Sequence, residues 1–471
     1  MAQPNDIGVI GLGVMGANLA RNLAGRGFRV AGYDRDPAPG QALARDHAEA
    51  RIEMAASMEA FVAGLARPRK IILLVNAGPA VDAVLAQLHP LLEAGDVLAD
   101  AGNSLFSDTE RRIQEPRAHA FLGMGISGGE DGALRGPAIM PGGDRAAYEA
   151  LRPFLEAIAA RGPFGPCVAY CGRGSAGHFV KMVHNGIEYG DMQLIAETVF
   201  LLREGLGLTA PEAAQVFEAW NLGELESYLV AITATILRTP DPEGVEGAPL
   251  VDAILDQAAQ KGTGAWTVRA AADLGVPIPT LAAAVEARSL SAGLARRIAA
   301  AGLFPAGDRK LEAIGLDQLR DALYAAKIAS YAQGFDLMQK ASDDRGYGIP
   351  LAAMARIWTA GCIIRARFLQ EVAQAFAASP APDLLVFAPF FADALRQREG
   401  AWREVVAAAA RAGIPVPGLA ASLAWFDTLR TSPGSAALIQ AQRDFFGSHT
   451  YQRRDRPGRA VHTQWLPSHT P

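Results

Sequence analysis

The sequence predicts an α/β protein: a doubly wound parallel sheet, then a large all-α domain, then an extended C-terminal tail. Three observations carry that expectation. In the first third, short apolar runs at Ile7–Ile10, Phe28–Tyr33, Ile71–Val75, Val97–Ala101 and Phe121–Leu122 alternate with helical patterns. That βαβ rhythm is the mark of a parallel sheet of Rossmann type. From about Gly177 the rhythm stops, and long Ala- and Leu-rich segments follow, broken at Pro240-Asp241-Pro242, Pro277-Ile278-Pro279 and Pro380-Ala381-Pro382. The end of the chain is polar and rich in Arg and His, yet it carries Phe445, Phe446, Tyr451 and Trp465. A free tail would shed such aromatics, so this one is expected to dock. The expected divisions are an α/β domain over residues 1–176, a helical domain over 177–434, and the tail over 435–471.

Each element of the nucleotide site can be justified in order. Gly11-Leu12-Gly13-Val14-Met15-Gly16 follows the first strand and opens a helix expected over Ala17 to Leu23. Gly11 permits a tight turn, Gly13 lets the backbone approach a pyrophosphate at the helix N-terminus, and Gly16 allows close helix–sheet packing. The second strand ends in Asp34-Arg35-Asp36. Asp34 stands where a carboxylate accepts hydrogen bonds from ribose hydroxyls, whereas Arg35 could stack on adenine or meet a 2′-phosphate. A carboxylate about 4 Å from a phosphate costs on the order of 4 kcal/mol per unit charge at an effective dielectric of 20. One Arg could offset that, but Asp36 adds a second negative charge, so the balance favours NAD over NADP, with use of both left open. Val75, Asn76 and Ala77 close the third strand and complete the cofactor-facing set.

The chemistry is expected on one helix. Lys181, His184, Asn185 and Glu188 sit at i, i+3, i+4 and i+7, which places them within about 100° of arc on one helical face. Lysine, imidazole, amide and carboxylate on one stripe can do acid–base work. The bland alternative is a solvated face with a Lys–Glu pair. Against it stand Gly186 and Gly190, each costing about 1 kcal/mol in a helix interior and useful where a ligand or another backbone comes close. Two loops, Asp100–Ser104 with Asn103 and Gly125–Glu130 with Ser127, Gly128 and Gly129, follow strand ends, where ligands of doubly wound sheets bind. Lys261-Gly262-Thr263-Gly264 offers donors suited to phosphate. A weaker echo links Lys181–Met192 to Lys327–Met338, as two related helices would, but the second copy has no equivalent of His184, Asn185 or Glu188.

Composition excludes other classes. Among 471 residues, 44 Lys+Arg face 49 Asp+Glu, a net charge of −5, which gives no electrostatic footprint for nucleic acid or an anionic membrane. No apolar run approaches the ~20 residues that span a bilayer, and the first residues carry no basic leader. Cys167, Cys171 and Cys362 are too few for a disulfide framework and read as structural thiols suited to a cytoplasm. No metal is expected, because Cys167 and Cys171 have no companion at ligand spacing.

Taken together, these motifs resemble the long form of the decarboxylating 6-phosphogluconate dehydrogenase family. The resemblance runs over essentially the whole chain. It rests on Gly11–Gly16, Arg67–Ile71, Ile126–Ala133, Gly136–Gly143, Lys181–Tyr189, Lys261–Gly264, Gly361–Arg365, and Gln440–Asp444 through His449–Tyr451. It implies oxidation of 6-phosphogluconate at C3, loss of the C1 carboxylate as CO2, and formation of ribulose 5-phosphate, a step of gluconate use in the pentose phosphate pathway. It further implies Lys181 as general base and then acid, Glu188 as the acid that protonates C1, and His184, Asn185, Asn103 and Ser127–Gly129 as positioning groups. Tyr189, Lys261, Thr263 and Arg288 would hold the phosphate. Arg443 and His449 would come from the tail of a second subunit, making a homodimer obligatory. The chain departs from the NADP-using pattern of Asn-Arg-Ser/Thr at Asp34-Arg35-Asp36, and from a common lysine at Asn76. It also has Thr359-Ala360-Gly361 where Arg-Gly-Gly is usual. A dehydrogenase of another phosphorylated 3-hydroxy acid, and a catalytically silent dinucleotide-binding scaffold, are the alternatives open at this stage.

Overall fold

The computed structural model describes residues 3–245 and 247–466. The chain divides into two compact units, Met1–Ser422 and Leu423–Pro471. The last five residues of the tail, and Met1 and Ala2 of the N-terminus, lie outside the described residues.

The first unit opens with a seven-stranded sheet: β1 (Ile7–Ile10), β2 (Val30–Tyr33), β3 (Ile52–Met54), β4 (Lys70–Leu73), β5 (Val97–Asp100), β6 (Ala120–Ser127) and β7 (Ala138–Gly143). The order is β3-β2-β1-β4-β5-β6-β7. The first six strands are parallel, and β7 closes the edge antiparallel to β6, with Leu122 opposite Gly143 and Ser127 opposite Ala138. The strands are apolar runs because the sheet is covered on both faces. Ile7, Val9, Ile72 and Leu122 join Leu19 and Leu23 on one side. Ile10, Ile71, Leu73 and Leu98 join Phe61 and Leu85 on the other. The order reverses between β1 and β4, and the ligand crevice of such a sheet opens outside the carboxyl ends there.

Two strands go beyond the sequence expectation. β3 is short and half polar, Ile-Glu-Met. β7 contains Pro141, Gly142 and Gly143, residues that read as loop and are tolerated here because β7 is an edge strand. The first helix runs over Val14–Gly25 with Gly13 as its N-cap, longer at both ends than expected.

From Ala176 onward the first unit is helical. The Ala176–Phe200 helix, called the site helix below, and the Leu316–Arg345 helix, called the central helix, pack on each other. A Cβ on Gly190 would lie 2.5 Å from the Ser330 hydroxyl, and one on Gly334 would lie 2.5 Å from Ile187. The echoed segments are thus the facing stretches of these two helices. Pro279 starts the Pro279–Ser291 helix at a first-turn position, where its missing N–H costs nothing.

The second unit is not a bare extended chain. It forms a helix over Ala436–Gly447 and an antiparallel hairpin of Tyr451–Arg453 with Arg456–Val461.

Candidate active site

The glycine-rich turn behaves as its spacing requires. Gly11 has φ +89°, and a Cβ there would meet the Leu74 carbonyl oxygen at 2.3 Å. A Cβ on Gly16 would sit 1.8 Å from the Gly11 carbonyl. Gly13 differs: a Cβ there would meet nothing within 4 Å. The open position faces the start of the helix, so the turn leaves room for a pyrophosphate where the helix dipole favours an anion. The adjoining cavity of about 320 Å³ is lined by Gly11, Gly13, Asp34, Arg35, Val75 and Asn76, among others. These residues fit a dinucleotide.

The carboxylates at the end of β2 are partly engaged. Asp34 accepts the Leu12 N–H at 2.7 Å and the Asp36 N–H at 3.0 Å, so it braces the glycine turn. Asp36 caps the Pro37–Asp46 helix by accepting the Ala38 N–H. Neutral N–H donors leave both charges in place. Arg35 is exposed beside them.

The candidate stripe is buried rather than solvated. Lys181 is 8% exposed and His184 fully buried. The Lys181 ammonium donates to the Asn185 amide oxygen at 2.7 Å. His184 meets the same oxygen through Nδ1 at 3.2 Å and the Ser127 hydroxyl through Nε2 at 3.1 Å. Glu188 Oε2 lies 3.9 Å from His184 Nδ1. Burial lowers the Lys181 pKa, against the opposing pull of Glu188. Burial likewise raises the Glu188 pKa, against Lys181 and Arg288, and holds His184 well below its usual range, with Lys181 adding to the effect. These directions give a lysine that can be neutral and a carboxyl that can keep its proton. Gly125 makes the approach possible, since a Cβ there would lie 2.3 Å from Lys181 Cβ.

The loops from the sheet are pre-set. Ser127 ends β6, and Gly128, at φ +123°, turns against the Gly361 carbonyl. Gly361 itself, at φ +66°, packs on Ala160 and Gly136, so the Thr359-Ala360-Gly361 departure lies beside this turn. Asn103 is exposed. Its loop is shaped by the fully buried Asp100, which accepts from the Gly102 N–H and the Ser104 hydroxyl. Sequence reasoning took Asp100 only as the loop's start; its position four residues before Ser104 was the available signal.

The phosphate candidates are partly assembled. The Arg288 guanidinium lies 3.6 Å from the Tyr189 ring centroid. Gly264 gives that ring space, since its Cβ would fall 2.6 Å away. Thr263 starts the Thr263–Leu274 helix after Gly262, and Lys261 is exposed just before it. Arg443 and His449 are exposed on the second unit.

The site helix decides between the two uses expected of its glycines, room for a ligand or close approach of another chain segment. Gly186 and Gly190 do not make room for a ligand. A Cβ on Gly186 would strike Thr267 at 2.6 Å, as one on Gly190 would strike Ser330. Both glycines serve helix–helix packing. Cys167, Cys171 and Cys362 are buried and free. Among the described residues no group of three or more His, Cys, Asp or Glu is placed to hold a metal, and no helix is long and apolar enough to cross a membrane.

A cradle for a pyrophosphate, a base that can be neutral and an acid that can be protonated meet the needs of hydride removal from a hydroxy acid. The class is that of the dinucleotide-dependent dehydrogenases. Residues 6–172 match the family described as the NAD binding domain of 6-phosphogluconate dehydrogenase, and residues 177–465 match its C-terminal domain. The chain is 52% identical to the decarboxylating 6-phosphogluconate dehydrogenase of Synechococcus elongatus, covering 98% of this chain and 99% of that one. It is 47% identical to the NADP(+)-dependent decarboxylating enzyme of Bacillus subtilis, again over 98% and 99%. The solved structure of Plasmodium falciparum 6-phosphogluconate dehydrogenase superimposes with a TM-score of 0.94 at 40% identity, covering 98% of this chain and 100% of that one. The chain belongs to the 6-phosphogluconate dehydrogenase family, decarboxylating.

Proposed function

We propose that this chain oxidises 6-phosphogluconate and decarboxylates the product to ribulose 5-phosphate and CO2, with Lys181 and Glu188 as its acid–base pair. The observation that carries the reading is the burial of Lys181 against a neutral partner, Asn185. Lys181 takes the C3 hydroxyl proton. A bound nicotinamide dinucleotide supplies the hydride acceptor. Protonated, Lys181 then lies beside the new carbonyl and stabilises the charge that develops as CO2 leaves. Glu188 delivers a proton to C1. His184 and Asn185, with Ser127, Gly128, Gly129 and Asn103, orient the carboxylate and hydroxyls. Tyr189, Lys261, Thr263 and Arg288 take the phosphate, joined by Arg443 and His449 from the tail of a second copy, so the working form is a homodimer. The nucleotide part spans 1–176, the helical part 177–434 and the tail 435–471. Steady-state kinetics with 6-phosphogluconate and both dinucleotides, following ribulose 5-phosphate, test the reading; absence of turnover overturns it.

The cofactor is read as NAD in preference to NADP, held by Gly11, Leu12, Gly13, Val14, Met15 and Gly16, by Asp34 and Arg35, and by Val75, Asn76, Ala77 and Asn103. Support comes from the two carboxylates, Asp34 and Asp36, and from Asn76 in place of a cation. Asp36→Ser is the sharpest test, because serine also caps a helix while removing the charge. The NADP/NAD ratio of kcat/KM should rise by roughly tenfold or more; an unchanged ratio overturns the charge argument.

A further inference from the structure

The second unit is organised around one carboxylate. Asp444 has no exposed surface. Its Oδ1 accepts from the Thr450 N–H at 2.9 Å and from His462 Nδ1 at 3.0 Å. Its Oδ2 accepts from the Thr463 N–H at 3.1 Å and from the Trp465 indole at 2.8 Å. Its backbone carbonyl accepts the Ser448 N–H. One residue therefore ties the Ala436–Gly447 helix to the turn that follows and to the segment after the hairpin. Burial alone would push this carboxyl up, but the four donors outweigh it and hold the pKa at about 2. The hub stays ionised at any working pH.

The turn it holds is strained. Ser448 has φ +51° and Thr450 has φ +59°, both left-handed, and Thr450 is β-branched, for which that region is an outlier. Between them stands His449. Such a backbone persists only where its surroundings over-determine it. Arg443 is linked to the same turn. Its guanidinium donates to Gln440 Oε1 at 3.0 Å, and the Gln440 amide donates to the Thr450 carbonyl at 2.6 Å.

We propose that Asp444 is a positioning residue that aims Arg443 and His449 at the substrate's phosphate end, without touching substrate itself. The proposal rests on the reading above that these two residues complete a site. It goes further by naming what sets their geometry.

The test uses the full chain, 6-phosphogluconate and the preferred dinucleotide. Asn in place of Asp444 has one acceptor oxygen, so an NH2 group faces two of the four donors. Asp444→Asn should raise KM for 6-phosphogluconate by roughly tenfold, with kcat and the cofactor KM little changed. Added to Arg443→Ala/His449→Ala, it should contribute less than about twofold, because coupled residues are not additive. Thr450→Gly in the Asp444→Asn background should recover part of the KM, since glycine adopts the left-handed turn without strain. A wild-type KM in Asp444→Asn, or full multiplication with the double variant, overturns the proposal. If Asp444→Asn does not fold, Trp465→Phe removes one donor and keeps the carboxylate. It should raise KM by about two- to threefold, and an unchanged KM overturns the proposal. A wild-type KM in Arg443→Ala/His449→Ala overturns the tail reading and this proposal with it. A raised KM there, beside a normal Asp444→Asn, overturns the proposal alone.

Discussion

The site helix and the central helix each bury a lysine, and the two lysines meet opposite surroundings. Lys327, fully buried, makes an ion pair with Asp191, itself 1% exposed along its side chain and within 3.5 Å of the Tyr331 hydroxyl. Lys181, nearly as buried, has the neutral Asn185 oxygen as its hydrogen-bond partner. The echoed sequence supplies the same ammonium in both helices. The group each one meets decides what it becomes: Asn185, one turn along the same helix, for Lys181, and Asp191, across on the site helix, for Lys327. A carboxylate in contact turns a buried lysine into a structural ion pair, whereas an amide in contact, with Glu188 only opposing at a distance, leaves burial dominant and the pKa lowered.

The largest test of this contrast removes each lysine in turn. Lys181→Met should lower kcat by about 10²- to 10⁴-fold, the range of general acid–base catalysis, while dinucleotide binding persists by fluorescence titration. Lys327→Met should do the reverse. Turnover per folded molecule holds, but denaturant unfolding shows a loss of about 3–5 kcal/mol, because Asp191 is left buried and unpaired. Adding Asp191→Leu should return most of that stability.

Glu197 extends the contrast to a carboxylate. It is buried on the site helix and held by neutral donors: the backbone N–H groups of Gly418 and Leu419 and the Gln193 amide. Burial raises its pKa to about 7, against those hydrogen bonds. The folded chain therefore binds a proton that the unfolded chain, with a pKa near 4.3, has released. Stability should fall as pH rises between about 4 and 7, by roughly 3–4 kcal/mol in full. Thermal unfolding of Glu197→Gln should lose that slope; an unchanged slope assigns it elsewhere.

The smallest and most pointed change is Asn185→Asp, which gives Lys181 the neighbour that Lys327 has. A carboxylate there holds the ammonium charged. The acid limb of kcat/KM, where Lys181 must lose its proton, should move to higher pH, with roughly a tenfold loss at pH 7. An acid limb that does not move would remove Lys181 as the group it reports.

How much of this was legible in the sequence follows from range. The glycine turn and the Lys181–Glu188 stripe are set by spacing within one or two turns of chain, and the structure keeps both. The burial that gives the stripe its chemistry depends on Gly125 and Ser127, more than fifty residues away, and spacing carries no sign of it. Which of two uses Gly186 and Gly190 serve was hidden for the same reason, since what they accommodate, Thr267 and Ser330, is distant in sequence. Residues 138–143 hid a strand behind Pro and Gly because only an edge position tolerates them. In the tail, the polar pattern concealed a helix and hairpin whose core is a carboxylate, Asp444, rather than an apolar cluster.

The first turn of the site helix rests on the sheet with backbone against backbone. A Cβ on Gly177 would lie 2.2 Å from the Gly123 carbonyl, and one on Gly142 would lie 2.2 Å from the Gly177 nitrogen. Three glycines from β6, β7 and the helix thus form a joint with no side-chain cushion to yield. Protein engineers who exchange nucleotide-binding halves between enzymes would cut near residue 176, where the pattern changes. Here that cut passes through the joint. A chimera keeps its register only if Gly123, Gly142 and Gly177 travel together, so the inherited unit is the joint rather than either half.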